Sequence, residues 1–163
     1  MIFVNSMSDL FHERILHDYI EWVFETMQRA DWHTFQILTK RHERLADLAS
    51  SLPWPSNVWM GVSIENRRWT LRADYLREVL AAVRFISAEP LLGKLEGLDL
   101  TDIDWLIAGG ESGPRYRPVN VEWIRDLRDR CADQGVAFFF KQWGGRTSKA
   151  RVACSTTASG RSG

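Results

Sequence analysis

The sequence is poor in the features that usually betray a function. It has no charge excess: 21 Lys and Arg stand against 21 Asp and Glu in 163 residues. Neutrality excludes a general polyanion or membrane-surface binder that works by bulk attraction, and leaves only local basic patches. No apolar run is long enough to cross a bilayer. The opening stretch "MIFVNSMSDLFHE" has neither the basic start nor the long apolar centre of a signal peptide, so the cytoplasm is the default compartment. The two cysteines, Cys131 and Cys154, are too far apart for a metal or redox motif. Cys131 falls on an apparent helix face and reads as a small buried hydrophobe. His33 and His42 have no partner at metal-ligand spacing, and His12 and His17 read as helix-surface residues, so no metal site is expected. No G-x-G-x-x-G follows the first apolar run, there is no P-loop, and no Ser-His-Asp set stands out.

What is present is alternation. Hydrophobic residues make up 45% of the chain, ample for the core of one domain. Eight tryptophans are scattered along it, as packing residues would be. Short β-branched or aromatic runs occur at 2–6, 34–39, 58–63, 83–87, 104–109 and 136–142. Between them lie helical patterns. Leu16, Ile20, Val23 and Met27 recur on one face of 14–30, and Leu45, Leu48 and Leu52 follow Arg41. Leu76, Val79, Leu80 and Val83 mark a third helix, and Val121, Ile124, Leu127 and Cys131 a fourth that ends at Gly135. The connection 90–103 is short and broken by glycine, so it reads as a loop. The pattern predicts an α/β fold: strands buried on both faces, parallel and alternating with helices. An open doubly wound sheet and a (β/α) barrel both fit. The missing dinucleotide fingerprint favours an incomplete TIM-like barrel of about six strands. The domain is expected over residues 1–146. Residues 147–163, small and polar with almost nothing apolar, read as a disordered tail.

Each run ends in polar or charged residues, and in a parallel α/β fold those ends share one rim where ligands bind. Asn5 and Asp9 follow the first, Lys40 and Arg41 the second, Glu65 the third, Glu89 the fourth. Gly109, Gly110 and Glu111 follow the fifth, and Lys141 and Gln142 close the sixth. The candidate catalytic groups are Glu65, Glu89 and Glu111, as proton or ligand acceptors. The candidate binding residues are Asn5, Asp9, Lys40, Arg41, Lys141 and Gln142, with Gly109 and Gly110 baring the backbone to a close approach. The plainer reading is that solvated loops are polar in any such fold, with Ser8 or Asp9 merely capping a helix.

The motifs "FVNSMSDLFHE", "HTFQILTKR", "NVWMGVSIEN", "VRFISAEPLLG", "AGGESGPRYRP" and "FFFKQWGG" occur in that order. Together they resemble a phage-encoded and bacterial family of unknown function whose fold is similar to that of radical S-adenosylmethionine enzymes. The resemblance implies a parallel barrel. It also implies, ahead of "IFVNS", a segment with three cysteines at C-x3-C-x2-C-like spacing. Those thiolates would hold a [4Fe–4S] cluster whose open iron binds S-adenosylmethionine. This chain opens at Met1 directly on a predicted strand, so the expectation is a fragment without cluster ligands, inactive alone and carrying no cofactor itself. Its open sheet edges are expected to favour self-association. Relatives continue past "KQWG" toward a G-R-x-L-D-G-R-x-W pattern, whereas this chain reads "ARVACSTTASGRSG". A shifted frame can restore the pattern, so a frameshift near residue 150 is expected. The alternative to an enzyme fragment is a nucleic-acid-binding module in a phage context. For that reading Lys40, Arg41, Arg67, Arg68, Arg115 and Arg117 would meet phosphates while Trp69 and Tyr116 stack on bases.

Overall fold

The computed structural model describes residues 1–4 and 8–146. Asn5, the tail from residue 147 and the proposed frameshift lie outside them. Six strands form one sheet: β1 (Ile2–Val4), β2 (Phe35–Thr39), β3 (Val58–Ser63), β4 (Val83–Ala88), β5 (Trp105–Gly109) and β6 (Ala137–Gln142). They are all parallel and adjacent in chain order, β1-β2-β3-β4-β5-β6. A doubly wound sheet reverses its strand order at a switch point, and this one never does. With right-handed crossovers, an unbroken order places every helix on the same face. The opposite face curls into a trough: Phe3 on β1 and Phe139 on β6, at the two sheet edges, line one cavity. The architecture is a curled half-barrel.

The core lies between the convex face and the helices α1 (His17–Arg29), α2 (His42–Ala49), α3 (Arg72–Arg77) and α4 (Val121–Gln134). Ile37, Met60, Val62, Ile86, Leu106 and Ala108 leave alternate positions of the strands with no exposure. They meet Ile20, Phe24, Leu45, Leu76 and Leu127 from the helices. A one-turn helix at Arg67–Trp69 precedes α3. The connection 90–103 has no helix, as its glycines foretell, yet Leu91, Leu95, Leu98, Leu100 and Ile103 are all buried, so it acts as a packed lining. Gly135 ends α4 in the left-handed conformation, φ 71°, that a C-terminal glycine supplies.

Three expectations need correction. The first helix begins at His17 rather than 14. Its inner face is Ile20, Phe24 and Met27, while Leu16 faces solvent. Leu80 likewise lies outside, beyond the end of α3. Nor are all strands covered on both sides: β6 alternates between exposed and half-buried along its length, as an edge strand beside an open trough should. Among the described residues no helix is long and apolar enough to cross a membrane.

Candidate functional site

Strand side chains alternate between faces, and the register assigns one set to the trough. Gln36 and Leu38 precede Lys40, and Trp59, Gly61 and Ser63 precede Glu65. Phe85 and Ser87 precede Glu89, Trp105, Ile107 and Gly109 precede Glu111, and Phe139 precedes Lys141. Each series runs from a large or amide side chain at the floor to a charge at the carboxyl end, and in β3 and β4 the residues between are small. The floor is aromatic: Trp105 lies edge-on to Trp59 at 6.2 Å and tilted against Phe85 at 5.7 Å. Gly61 leaves room for the Phe85 ring, whose atoms come within 2.4 Å of where a β-carbon would stand.

At the β1–β3 end Glu65 and Arg72 are buried, beside the exposed Lys40 and Arg41. Arg72, 4% exposed, donates from Nη1 to the Ser63 carbonyl at 2.6 Å and to Glu65 Oε2 at 3.3 Å. Lys40 Nζ holds the other Glu65 oxygen at 2.5 Å. The Arg72 guanidinium stacks 4.0 Å from the centre of the Trp69 ring, and Arg68 approaches the same ring at 5.0 Å. Burial lowers the pKa of Arg72, and Glu65 opposes that shift. Asp9 accepts from the Thr39 hydroxyl at 2.7 Å and from the amides of Phe11 and Lys40 at 3.0 Å each. It therefore ties the loop after β1 to the end of β2. A cavity of about 750 Å³ opens here among Asp9, Lys40, Arg41, Trp69 and Arg72.

At the β4–β6 end the pairs are more exposed. Lys141 Nζ reaches Glu89 Oε2 at 3.1 Å. Glu111 receives a two-pronged contact from Arg117, Nε at 2.9 Å and Nη2 at 2.8 Å, with the Arg117 amide at 2.8 Å. These bonds hold its carboxyl down at about 2. Gln142 donates to Ser112 Oγ at 2.6 Å and to the Gly110 carbonyl at 3.3 Å. The two glycines of "AGGES" differ in use. A β-carbon on Gly110 would stand 2.0 Å from the Trp143 carbonyl oxygen, and one on Gly144 2.4 Å from that of Glu111. The bare backbone at Gly110 is thus filled by the chain itself, letting β5 and β6 continue side by side past their ends. A β-carbon on Gly109 would meet the Glu89 side chain at 3.4 Å.

Of the residues singled out in the sequence, the structure gathers Asp9, Lys40, Arg41, Glu65, Glu89, Gly109, Glu111 and Lys141 along one rim. Gly110 and Gln142 stitch β5 to β6. Asn5 lies outside the described residues. Sequence reasoning missed Arg72, the buried partner of Glu65, and Gln36 on the floor. Gln36 carried a signal, a lone amide inside "FQIL". Away from the rim, His17, Asp18 and Glu21 bring ligand-type atoms within 4.8 Å of one another. His17 there hydrogen-bonds Ser51 Oγ at 3.0 Å.

A [4Fe–4S] cluster takes about three thiolates. Cys131 is the one cysteine among the described residues, and it is buried inside α4 with its thiol pushed up to about 11 by desolvation. It packs from α4 into the core and does not line the trough, so the described residues do not fit the cluster.

No curated protein and no solved structure matches the chain. A family model does, over residues 1–162, and the chain belongs to that family, described as "Protein of unknown function (DUF5131)".

Proposed function

We propose that the chain is the ligand-binding half-barrel of a radical S-adenosylmethionine-like protein from the phage and bacterial setting that its motifs resemble. Its rim receives a small molecule bearing both charges, and its own residues run no cluster chemistry. One observation carries the reading: Lys40, Glu65, Glu89, Glu111 and Lys141 extend the trough-facing series of five strands to a common end. In parallel α/β folds that end is where ligands bind. Glu89 and Lys141 suit an amine and a carboxylate respectively, since each is a partly exposed member of a single pair. The nucleic-acid alternative is weaker, because three of the six cations it needs are held by other groups. Arg117 is fixed on Glu111, Arg68 lies against Trp69, and Arg67 stands 3.7 Å from Glu96.

Titration with S-adenosylmethionine, followed by tryptophan fluorescence and calorimetry, tests the reading. Saturable binding is expected, weakened about tenfold or more by Lys141→Met, a change of the size lost with one charge-assisted contact. Absence of binding at millimolar ligand, or binding indifferent to both Lys141→Met and Glu89→Gln, overturns it. Anaerobic incubation with iron and sulfide is expected to leave this polypeptide colourless.

A further inference from the structure

Two buried side-chain donors find no acceptor among the described residues: Gln36 Nε2 and Arg72 Nε. Both residues are more than nine-tenths buried, Gln36 at 7% and Arg72 at 4% exposure. Buried donors are nearly always paired, so two exceptions in neighbouring walls call for an explanation. Gln36 helps line the trough, a cavity of about 500 Å³ walled by Phe3, Phe85, Trp105 and Phe139. Arg72 lines the 750 Å³ cavity at the rim with Lys40 and Arg41. Phe3 and Leu38 belong to both walls, so the two volumes meet. Gln36 and Lys40 share one side of β2, about 13 Å apart along the strand.

We propose that trough and rim together form a nucleoside monophosphate site, with the base against Gln36 and the phosphate among Lys40, Arg41 and Arg72. The inference rests on the reading of the trough and rim as a ligand site and names the ligand class. Aromatic walls accept a flat ring and are tolerant of which ring it is. A carboxamide offers one donor and one acceptor in a plane, the complement of a base edge. A half-turn about its last bond exchanges the two atoms, so either is presented to the trough. At the other end Lys40, Arg41 and Arg72 stand with Asp9, Glu65 and, 3.6 Å from Arg41 at the surface, Glu13. The Asp9 oxygens are already used by Thr39, Phe11 and Lys40, and those of Glu65 by Lys40 and Arg72. The carboxylate oxygens of Asp9 and Glu65 are thus engaged while Arg72 Nε is not, and guanidinium and ammonium groups together recognise a phosphate. The middle of the groove, where Leu38 and Phe3 leave apolar surface, falls to the sugar.

The whole chain is titrated by calorimetry with the four common nucleoside 5′-monophosphates, their nucleosides and inorganic phosphate. At least one monophosphate is expected to bind with Kd below about 1 mM, and its nucleoside about tenfold more weakly. Gln36→Leu removes an unpaired amide and is expected to fold, which circular dichroism checks. It should weaken the preferred monophosphate about tenfold and flatten the differences among bases. Arg41→Gln, at an exposed position, should weaken the monophosphate and leave the nucleoside unchanged. The inference is overturned if no monophosphate binds below about 1 mM, if inorganic phosphate binds as tightly as the nucleotides, or if both variants bind like the parent. S-adenosylmethionine binding without nucleotide binding sinks this inference and leaves the rim reading standing. Binding of neither sinks both.

Discussion

The two ends of the rim hold the same kind of pair and do opposite things with it. Glu111 and Arg117 meet in a two-pronged contact at the surface, every strong bond satisfied and the charge balanced one to one. Glu65 and Arg72 meet less tightly, at 3.3 Å, but both are nearly withdrawn from water, and Lys40 makes the cluster two cations to one carboxylate. The surface pair is complete as it stands and closes a loop. The buried cluster carries an imbalance and an unpaired Nε, and so leaves chemistry unspent beside a cavity. Burial, not the identity of the partners, separates a fastening from a candidate site.

The sharpest way to break this comparison is Glu65→Leu. It strands Arg72, only 4% exposed, without its buried counter-charge. Removal of one member of a buried pair costs about 3–5 kcal/mol, and the loss is expected at that scale in urea unfolding. A loss no larger than that of a surface substitution would mean water enters and the cluster is not truly buried. The glycines give the next effect. Gly110→Ala sets a β-carbon 2.0 Å from the Trp143 carbonyl, and backbone cannot rotate aside. About 1–3 kcal/mol is expected, the usual range for overpacking, with β6 amides near Gln142 losing protection from hydrogen exchange. Gly109→Ala is the control: its new methyl meets Glu89 at ordinary contact, 3.4 Å, and stability should move by less than about 1 kcal/mol. Equal losses from the two would remove the claim that only Gly110 serves the junction of β5 and β6.

How much of this was legible in the sequence follows from what was local. Strand positions came out nearly to the residue because each apolar run is short and bounded by turn-forming groups, as in "VWMGVS". Gly135 announced the end of α4, since its conformation depends on its immediate neighbours alone. The rim was legible as a set of strand ends. Its inner logic was not. Reading the runs as buried on both faces concealed the alternation that sets Gln36, Leu38 and Lys40 on one side of β2. Arg72 sits among charged residues in "NRRWTLRADYLRE" and reads as helix surface. Only folding β3 against α3 brings the Ser63 carbonyl and Glu65 to it. The purpose of "GG" in "AGGES" lay in "WGG", more than thirty residues on, and no local pattern links them.

The smallest effect belongs to the surface pair, and pH isolates it. Arg117 holds the Glu111 carboxyl at about 2, below its ordinary 4.5. A carboxyl depressed on folding stabilises the fold wherever the unfolded chain would also be ionised, and the contribution fades as protons reach the folded state. The stability difference between the parent and Glu111→Gln should therefore be constant above about pH 4.5 and shrink as pH falls toward about 2. Salt should reduce it too, because both partners stand at the surface. Urea midpoints at neutral pH and at two acid values measure it. A difference that persists undiminished at the lowest pH would show that shape, not ionisation, fastens this end of the rim. The contrast with Glu65 would then lose its electrostatic basis.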